Sequence, residues 1–235
     1  MSKLTDVEMW DLYQIKLRDI YDRKAKEKPI YPLFHFIKQY YKNRPIPENI
    51  AEVGFGNGGL LRSLSTIFPV CFGLDISGKN IEFTEKAFRQ DGICNVKFEV
   101  YNIMDVPSQE HRFDAIVLSH VLEHFDDDQI KIVLQNVKRL LKPQGIFFGA
   151  TPYKKFFNPR ICPNCGHTFE IDGHKQILDE QKMKTILEEN GFKIIQIRHF
   201  NPDHFYYGES LWWRLFHRGF LLKDQVTQLE FISSA

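Results

Sequence analysis

A glycine-rich stretch that follows an acidic residue is the first part of this chain that could do chemistry. It reads Ile-Ala-Glu-Val-Gly-Phe-Gly-Asn-Gly-Gly over residues 50–59. Glycines let the backbone take positive φ and let a ligand approach where a Cβ would clash. Gly54, Gly56 and Gly59 have the spacing of the dinucleotide fingerprint, and an acid that could contact a ribose, Asp75, follows. The stretch predicts a turn between a strand and a helix whose N-terminus faces a ligand.

Glu52 distinguishes between two ligands that bind such a turn. A dinucleotide would place its pyrophosphate there, and a carboxylate would repel it. S-adenosylmethionine has no phosphate and carries an ammonium and a sulfonium group, which a carboxylate attracts. The order acid, apolar residue, Gly, x, Gly, x, Gly therefore favours S-adenosylmethionine. A glycine-rich turn without a ligand is the alternative.

The stretch from Glu52 to Gly58 resembles, residue for residue, the first motif of the class I S-adenosylmethionine-dependent methyltransferases. The resemblance covers about residues 46–200 and extends to the small-molecule, ubiquinone-biosynthesis-like branch. It implies S-adenosylmethionine as cofactor, a small-molecule methyl acceptor, and methyl transfer to oxygen, nitrogen or carbon. It also implies a doubly wound α/β fold with a mostly parallel seven-stranded sheet.

Further cofactor contacts are expected where the second, third and fourth predicted strands end. Asp75 is placed to accept both ribose hydroxyls, and a surface acid or a helix cap is the alternative. In the family an acid after the third strand bonds the adenine amino group; Asn102 has that position here, and Asp105 is its rival. The expected cofactor site is Glu52, Gly54, Gly56, Gly58, Asp75, Ile76, Asn102, Ile103 and Ser119.

Two histidines and a glutamate follow the fourth predicted strand, as His120-x-x-Glu123-His124. The segment resembles one that lies beside the transferred methyl in many family members. Some quinone-biosynthesis O-methyltransferases carry a Glu-x-x-Glu-His metal site there, and imidazole replaces one carboxylate in this chain. The three side chains could hold a divalent metal, one histidine could act as a base, or Glu123 and His124 could only bond the local loop.

A Cys-x-x-Cys pair interrupts the pattern after the fifth predicted strand. Cys162 and Cys165 present two thiolates to one metal, and His167 or His174 could add nitrogen ligands. We expect a structural zinc ion with two cysteine and two histidine ligands. A redox dithiol is the alternative, and His174 could instead serve the substrate. A subset of methyltransferases resembles this chain in carrying a Cys-Pro-x-Cys-Gly insert followed by Gly-His.

The predicted strands and helices alternate, which indicates a parallel sheet with right-handed crossovers. Ligands bind at the carboxyl ends of such strands, where the residues named above should gather. We divide the chain into an N-terminal helical cap (1–45), which closes over the cofactor or only caps the sheet, and a methyltransferase domain (46–235) with a zinc-knuckle insertion (153–175). The aromatic and basic segment 201–222 could be a substrate lid, a membrane-surface helix, a dimer face or simply buried.

Composition narrows the class of protein. The chain has 43% hydrophobic and 26% charged residues and a net charge of +1, which describes a soluble globular protein without a charge bias towards nucleic acid. No apolar run reaches membrane-spanning length, and the first residues lack the apolar core of a secretion signal. We therefore expect a cytoplasmic enzyme. The alternative is a catalytically silent cofactor-binding module that docks on a partner through its knuckle and aromatic segment.

Overall fold

The computed structural model describes residues 4–27, 32–105, 110–153, 159–170, 172–200 and 228–235. The described strands are β1 (Asn49–Val53), β2 (Val70–Asp75), β3 (Val96–Val100), β4 (Phe113–Ser119), β5 (Leu141–Pro152), β6 (Pro159–Ile161), β7 (Thr168–Glu170), β8 (Lys193–Phe200) and β9 (Gln228–Ser234). The described α-helices are α1 (Asp6–Glu27), α2 (Pro32–Tyr40), α3 (Gly59–Leu64), α4 (Gly78–Gln90), α5 (Asp127–Leu140) and α6 (Glu180–Glu189).

A seven-stranded sheet runs in the order β3-β2-β1-β4-β5-β9-β8. The strands from β3 to β5 pair in parallel, whereas β9 pairs antiparallel with both β5 and β8. The predicted doubly wound, mostly parallel sheet is confirmed, and its antiparallel strand lies between two others rather than at an edge. Segment 201–222, for which we gave four interpretations, lies outside the described residues.

The strands at the centre of the sheet are buried on both faces. In β4 the residues from Ala115 to Leu118 are fully buried, as expected of a parallel strand that helices cover on each side. One apolar cluster packs α5 and α6 against the sheet, and a second packs α2, α3 and α4 against the other face. This packing fixes the carboxyl ends of β1, β2 and β4 at one edge, where the cofactor residues were predicted.

The helices begin where the sequence indicates. The Ser77 side chain accepts the N–H of Asn80 and caps α4, and Asp126 forms a capping box with Gln129 at the start of α5. The insertion after β5 contains a two-stranded hairpin of β6 and β7, with the cysteine pair between the strands. None of the described helices is both long and apolar enough to cross a membrane.

Candidate functional site

The glycine turn after β1 adopts a conformation that only glycine takes readily. Gly54, Gly56 and Gly58 have φ values of 68°, 54° and 77°. A Cβ on Gly54 would lie 2.8 Å from Val121, and one on Gly58 would lie 2.7 Å from Thr84. A Cβ on Gly56 would meet nothing within 4 Å, so the turn opens on space at that residue. Neighbouring side chains therefore occupy the Cβ positions of Gly54 and Gly58, whereas at Gly56 a ligand can lie against the bare backbone.

Glu52 lies in β1 directly below this turn. Its side chain is 3% exposed, and Oε2 finds no hydrogen-bond partner among the residues that the structure describes. Burial and the nearby charge of Asp75 raise its pKa well above the usual value, although the Leu61 N–H opposes this. A buried carboxyl oxygen without a partner is costly, and a cation brought beside it would stabilise the charged form of Glu52.

Asp75 is the last residue of β2, and hydrogen bonds orient both oxygens of its carboxylate. Oδ1 accepts the main-chain N–H of Ser77 at 2.9 Å, and Oδ2 accepts the Asn80 amide at 2.7 Å. Burial raises the pKa of Asp75 to about 6, against the effect of these hydrogen bonds. Each oxygen retains lone pairs, so the carboxylate can still accept bonds from a diol.

Helix α1 supports this carboxylate from above. Arg18 donates hydrogen bonds to the side chains of Asn80 at 2.9 Å and Thr84 at 3.0 Å. Asn80 in turn donates to Asp75, so Arg18 contacts the carboxylate through one intervening side chain. Asp11 accepts a hydrogen bond from the Ser77 hydroxyl. The cap therefore contacts the loop that would hold the ribose.

The two candidates for the adenine contact lie together after β3. The Asn102 amide donates to the Asp105 carboxylate at 2.5 Å, and its carbonyl oxygen accepts the Met104 N–H at 3.0 Å. Ile103 is buried, and its main-chain carbonyl accepts the side-chain amide of Asn136. Asn102 and Asp105 thus form one polar unit rather than two independent alternatives.

His120 begins the loop after β4 in a strained conformation. Its φ is +57°, which is uncommon for a residue with a Cβ and is often found at functional sites. Nδ1 lies 3.3 Å from Oε1 of Glu123, and Nε2 lies 3.3 Å from Oε1 of Gln228. The Gln228 amide nitrogen donates to Glu230 at 2.8 Å, so the amide oxygen is the atom that faces His120.

Both ring nitrogens of His120 therefore face acceptors. A neutral imidazole donates through only one nitrogen, so this arrangement suits the imidazolium. Desolvation opposes that charge, but the nearby charge of Glu123 and the contact with Gln228 outweigh it and raise the pKa of His120. Glu123, 2% exposed, behaves as the matching anion: burial opposes its charge, yet His120 and His124 lower its pKa.

His124 has the opposite arrangement. Its Nδ1 lies 3.1 Å from the main-chain carbonyl of Gly173, which can only accept a hydrogen bond, so Nδ1 carries the proton. The lone pair of the neutral ring is then on Nε2. The rings of Trp10 and His124 lie nearly perpendicular with their centroids 5.5 Å apart, so the cap contacts this loop as well.

Comparison with known proteins gives the family. The family model described as a methyltransferase domain matches residues 21–197, which is more than half of the chain. This chain belongs to the methyltransferase-domain family. A ubiquinone biosynthesis O-methyltransferase of Bartonella bacilliformis is 24% identical over 157 residues, which cover 62% of this chain and 60% of that protein. The chain thus matches about 60% of the length of this curated relative.

Solved structures share the fold of this methyltransferase domain. The [4+2]-cyclase SpnF superposes with a TM-score of 0.69 and 12% identity, covering 100% of this chain and 97% of the other. A 1,6-didemethyltoxoflavin-N1-methyltransferase of Burkholderia thailandensis, solved with S-adenosylhomocysteine, gives a TM-score of 0.65 and 14% identity over 100% and 92% of the two chains. Different chemistry occurs on one fold, so the reaction must be argued from the site.

The insertion in this methyltransferase domain does not gather the four predicted zinc ligands. No group of three ligand atoms within 4.8 Å includes Cys162 or Cys165 in the described part of the chain. His174 instead forms such a group with Glu123 and His124, and another with Glu170 and Asp172. The two-cysteine, two-histidine zinc site stays a prediction.

The position of His174 has a local cause. Oε2 of Glu170 accepts the main-chain N–H groups of Asp172 and His174, both at 2.8 Å, and the Lys175 N–H donates to the Glu123 carbonyl. These bonds hold the end of the insertion against the loop after β4. The loop cluster of Glu123, His124 and His174 could hold a divalent cation, and His174 replaces His120 in that set.

Sequence reasoning missed the residues that support the site from distant elements. Arg18 lies 62 positions from Asn80, and Gln228 lies 108 positions from His120. No short motif joins either pair. One local pattern could have identified Asn80 as the partner of Asp75. Ser77 caps the helix, and Asn80 follows it by three residues, which is the position that bonds such a cap.

Proposed function

We propose that this chain is an S-adenosylmethionine-dependent methyltransferase that acts on a hydroxyl group of a small molecule. The observation that carries the proposal is Glu52, whose buried Oε2 has no partner in the described residues, directly below a glycine turn that opens on space at Gly56. A cationic ligand would satisfy that group. A pyrophosphate placed there would meet Glu52 and Asp75 together, which disfavours a dinucleotide.

Different residues around the turn would bind different parts of the cofactor. Asp75, oriented by Ser77 and Asn80, would accept the ribose hydroxyls through charge-assisted hydrogen bonds. The polar unit of Asn102 and Asp105 would meet the adenine amino group. When bound, S-adenosylmethionine supplies an electrophilic methyl on a good leaving group, so the protein's main contribution is to hold the acceptor in line with it.

His124 is the residue that we propose as the base. The Gly173 carbonyl holds the proton on Nδ1, so Nε2 can take a proton from an acceptor hydroxyl. His120 has both nitrogens engaged by Glu123 and Gln228, so we assign it a different role. Its positive charge would favour the oxyanion that forms as the hydroxyl loses its proton.

We also propose that the insertion binds zinc through Cys162 and Cys165. The backbone N–H groups of Asn164 and Cys165, with the Cys165 thiol, lower the pKa of Cys162 and favour the thiolate that a metal requires. A zinc ion there would brace the hairpin of β6 and β7. The end of the same insertion supplies the Gly173 carbonyl that orients His124.

Two measurements test the proposed function. Calorimetry should detect binding of S-adenosylmethionine and none of NAD; the reverse result would refute the cofactor assignment. Incubation with methyl-labelled cofactor and a panel of phenols, alcohols, amines and carbon acids should then label a hydroxyl compound. Cofactor binding without any labelled product would instead favour the silent binding module.

A further inference from the structure

A row of polar side chains leads across the sheet from β8 to His120. Gln228 and Glu230 are two residues apart in β9, so their side chains lie on the same face of the sheet. Arg198 of β8 is the cross-strand neighbour of Glu230. On the other side of β9, Ala150 of β5 pairs with Glu230, and its carbonyl accepts the main-chain N–H of His120 at 2.9 Å. The strand pairing therefore brings the four polar side chains together.

The two oxygens of the Glu230 carboxylate have different partners. Oε2 accepts a hydrogen bond from Nε of Arg198 at 2.6 Å and lies 2.5 Å from Nη2 of the same guanidinium. Oε1 accepts the side-chain amide of Gln228 at 2.8 Å. Glu230 is fully buried, and burial raises its pKa, but the charge of Arg198 opposes this. The guanidinium thus favours the ionised carboxylate, which can only accept hydrogen bonds.

The carboxylate determines the direction of the Gln228 amide. An amide has a donor nitrogen and an acceptor oxygen. Because the nitrogen donates to Glu230, the oxygen faces Nε2 of His120 at 3.3 Å, and Nε2 must carry a proton to bond it. An amide turned the other way would place its oxygen against the Glu230 carboxylate, and its N–H would need an Nε2 without a proton.

Both ends of the row are defined. The guanidinium carbon of Arg198 lies 3.9 Å from the centre of the Phe36 ring, and Nη2 donates to the Pro32 carbonyl at 3.3 Å. Phe36 and Pro32 belong to α2, so that helix holds Arg198 in place. At the other end the side chain of His120 is 47% exposed, so a bound molecule can contact its ring.

We propose that Arg198 and Glu230 are positioning residues for methyl transfer, and that they act through Gln228 and His120. Arg198 keeps the Glu230 carboxylate an acceptor, Glu230 orients the Gln228 amide, and the amide oxygen keeps a proton on Nε2 of His120. Without the ion pair the amide can turn, and Nε2 then accepts a hydrogen bond in place of donating one. The inference rests on the proposed function, in which the charge of His120 favours the oxyanion.

The first test observes His120 directly and needs no acceptor molecule. The double variant Arg198→Met with Glu230→Met removes the ion pair, and apolar residues of similar size in such a place often keep or raise stability, which chemical denaturation measures. In protein with isotope-labelled histidine, NMR correlations between ring C–H groups and ring nitrogens show whether Nε2 carries a proton, and a His120→Gln spectrum assigns the signal. Nε2 should carry a proton at neutral pH in the wild type and lack it in the double variant. The same signal in both proteins would overturn the proposal.

A rescue and a control accompany this variant. Adding Gln228→Glu to the double variant should return the proton to Nε2, because either oxygen of a carboxylate accepts a hydrogen bond and its direction no longer matters. A folded triple variant without that proton would contradict the proposed orientation. Arg112→Met with Glu99→Met removes another described ion pair, with hydrogen bonds of 3.1 and 2.7 Å, and should leave His120 unchanged.

The second test measures turnover with the hydroxyl compound that the wild-type protein methylates. The kcat of the double variant should fall by about 10–100-fold, the worth of a hydrogen bond to a charged group, and Gln228→Glu should recover part of it. KM and the affinity for S-adenosylmethionine should stay within a few-fold, because the glycine turn is unchanged. An unchanged kcat, or a loss of stability and affinity together with kcat, would mean that the ion pair serves only the sheet. A wild-type protein that methylates nothing, although Nε2 responds as expected, would refute the proposed function and leave the hydrogen-bond arrangement standing.

Discussion

The Gly173 carbonyl lies 3.1 Å from Nδ1 of His124, across 49 positions of the sequence. One residue belongs to the insertion and the other to the loop after β4, so the insertion determines which nitrogen of a candidate base carries the proton. A change in the insertion can therefore alter the chemistry without touching the cofactor site.

Replacing His124 by Gln should remove the proposed base. We expect the turnover number to fall by about 10²–10⁴-fold, while the affinity for S-adenosylmethionine stays within a few-fold, because the glycine turn is untouched. Single-turnover transfer of labelled methyl and calorimetry measure the two effects. His111→Gln is a matched control, since His111 makes the same kind of contact with the Leu141 carbonyl away from the site. A divalent cation that the wild-type protein binds and the His124→Gln variant does not would instead make His124 a metal ligand.

Replacing Asp75 by Asn should weaken cofactor binding by about 2–4 kcal/mol, because two charge-assisted hydrogen bonds are lost. Calorimetry measures the change directly. Asp91→Asn, at an exposed ion pair with Arg62, is the control and should leave affinity unchanged. An Asp75→Asn variant that binds as tightly as wild type would place the ribose elsewhere.

The same carboxyl group predicts a pH dependence. Its pKa is raised to about 6, so below that value the free protein carries a protonated Asp75, which is a poorer acceptor for a diol. Cofactor affinity should fall by up to about tenfold for each pH unit below 6, and Asp75→Asn should flatten the profile.

The free energy of unfolding of the unliganded protein should change in the opposite direction with pH. A raised pKa means that the contribution of Asp75 is present below the unfolded-state pKa and is lost as pH rises through about 6.

Replacing Glu52 by Gln should separate stability from binding. The amide has nearly the same shape and no charge to desolvate, so above neutral pH the free energy of unfolding should stay the same or rise. Affinity for S-adenosylmethionine should fall, because a cationic ligand loses its counter-charge. Chemical denaturation and calorimetry on the same preparations give the two values. A variant that loses stability but keeps affinity would show that the buried carboxylate serves the fold.

Replacing Arg18 by Gln tests whether the N-terminal cap takes part in binding. The change removes the bonds to Asn80 and Thr84, so Asn80 should hold the Asp75 carboxylate less firmly. We expect a roughly two- to tenfold loss of cofactor affinity, the worth of about one hydrogen bond. Lys16→Gln, an exposed change on the same helix, should have no effect. Equal behaviour of the two variants would mean that α1 only covers the sheet.

The parts of the candidate site that depend on neighbouring residues could be predicted from the sequence. The turn at residues 54–58 and the acid at the end of β2 were predictable, because each depends on a few neighbouring residues and on the backbone that they require. The parallel arrangement of the first five strands was predictable for a similar reason, since alternating strands and helices permit few topologies.

The contacts that distant parts of the chain make with the candidate site could not be predicted in the same way. Whether His174 meets the cysteines or Glu123 depends on how the insertion folds back over the sheet, which ligand spacing does not encode. The charge of His120 also depends on Gln228 and Glu230. Both belong to β9, which pairs with β5 although it comes much later in the sequence. Tertiary packing decides both.

The place of β9 in the sheet has a consequence for biosynthesis. It is made after every other strand described, yet it lies between β5 and β8. While the ribosome is still translating the preceding residues, β8 has no neighbour to pair with, and Gln228 has not yet reached His120. A nascent chain can therefore complete the glycine turn early, but the contact between Gln228 and His120 forms only after β9 has left the exit tunnel.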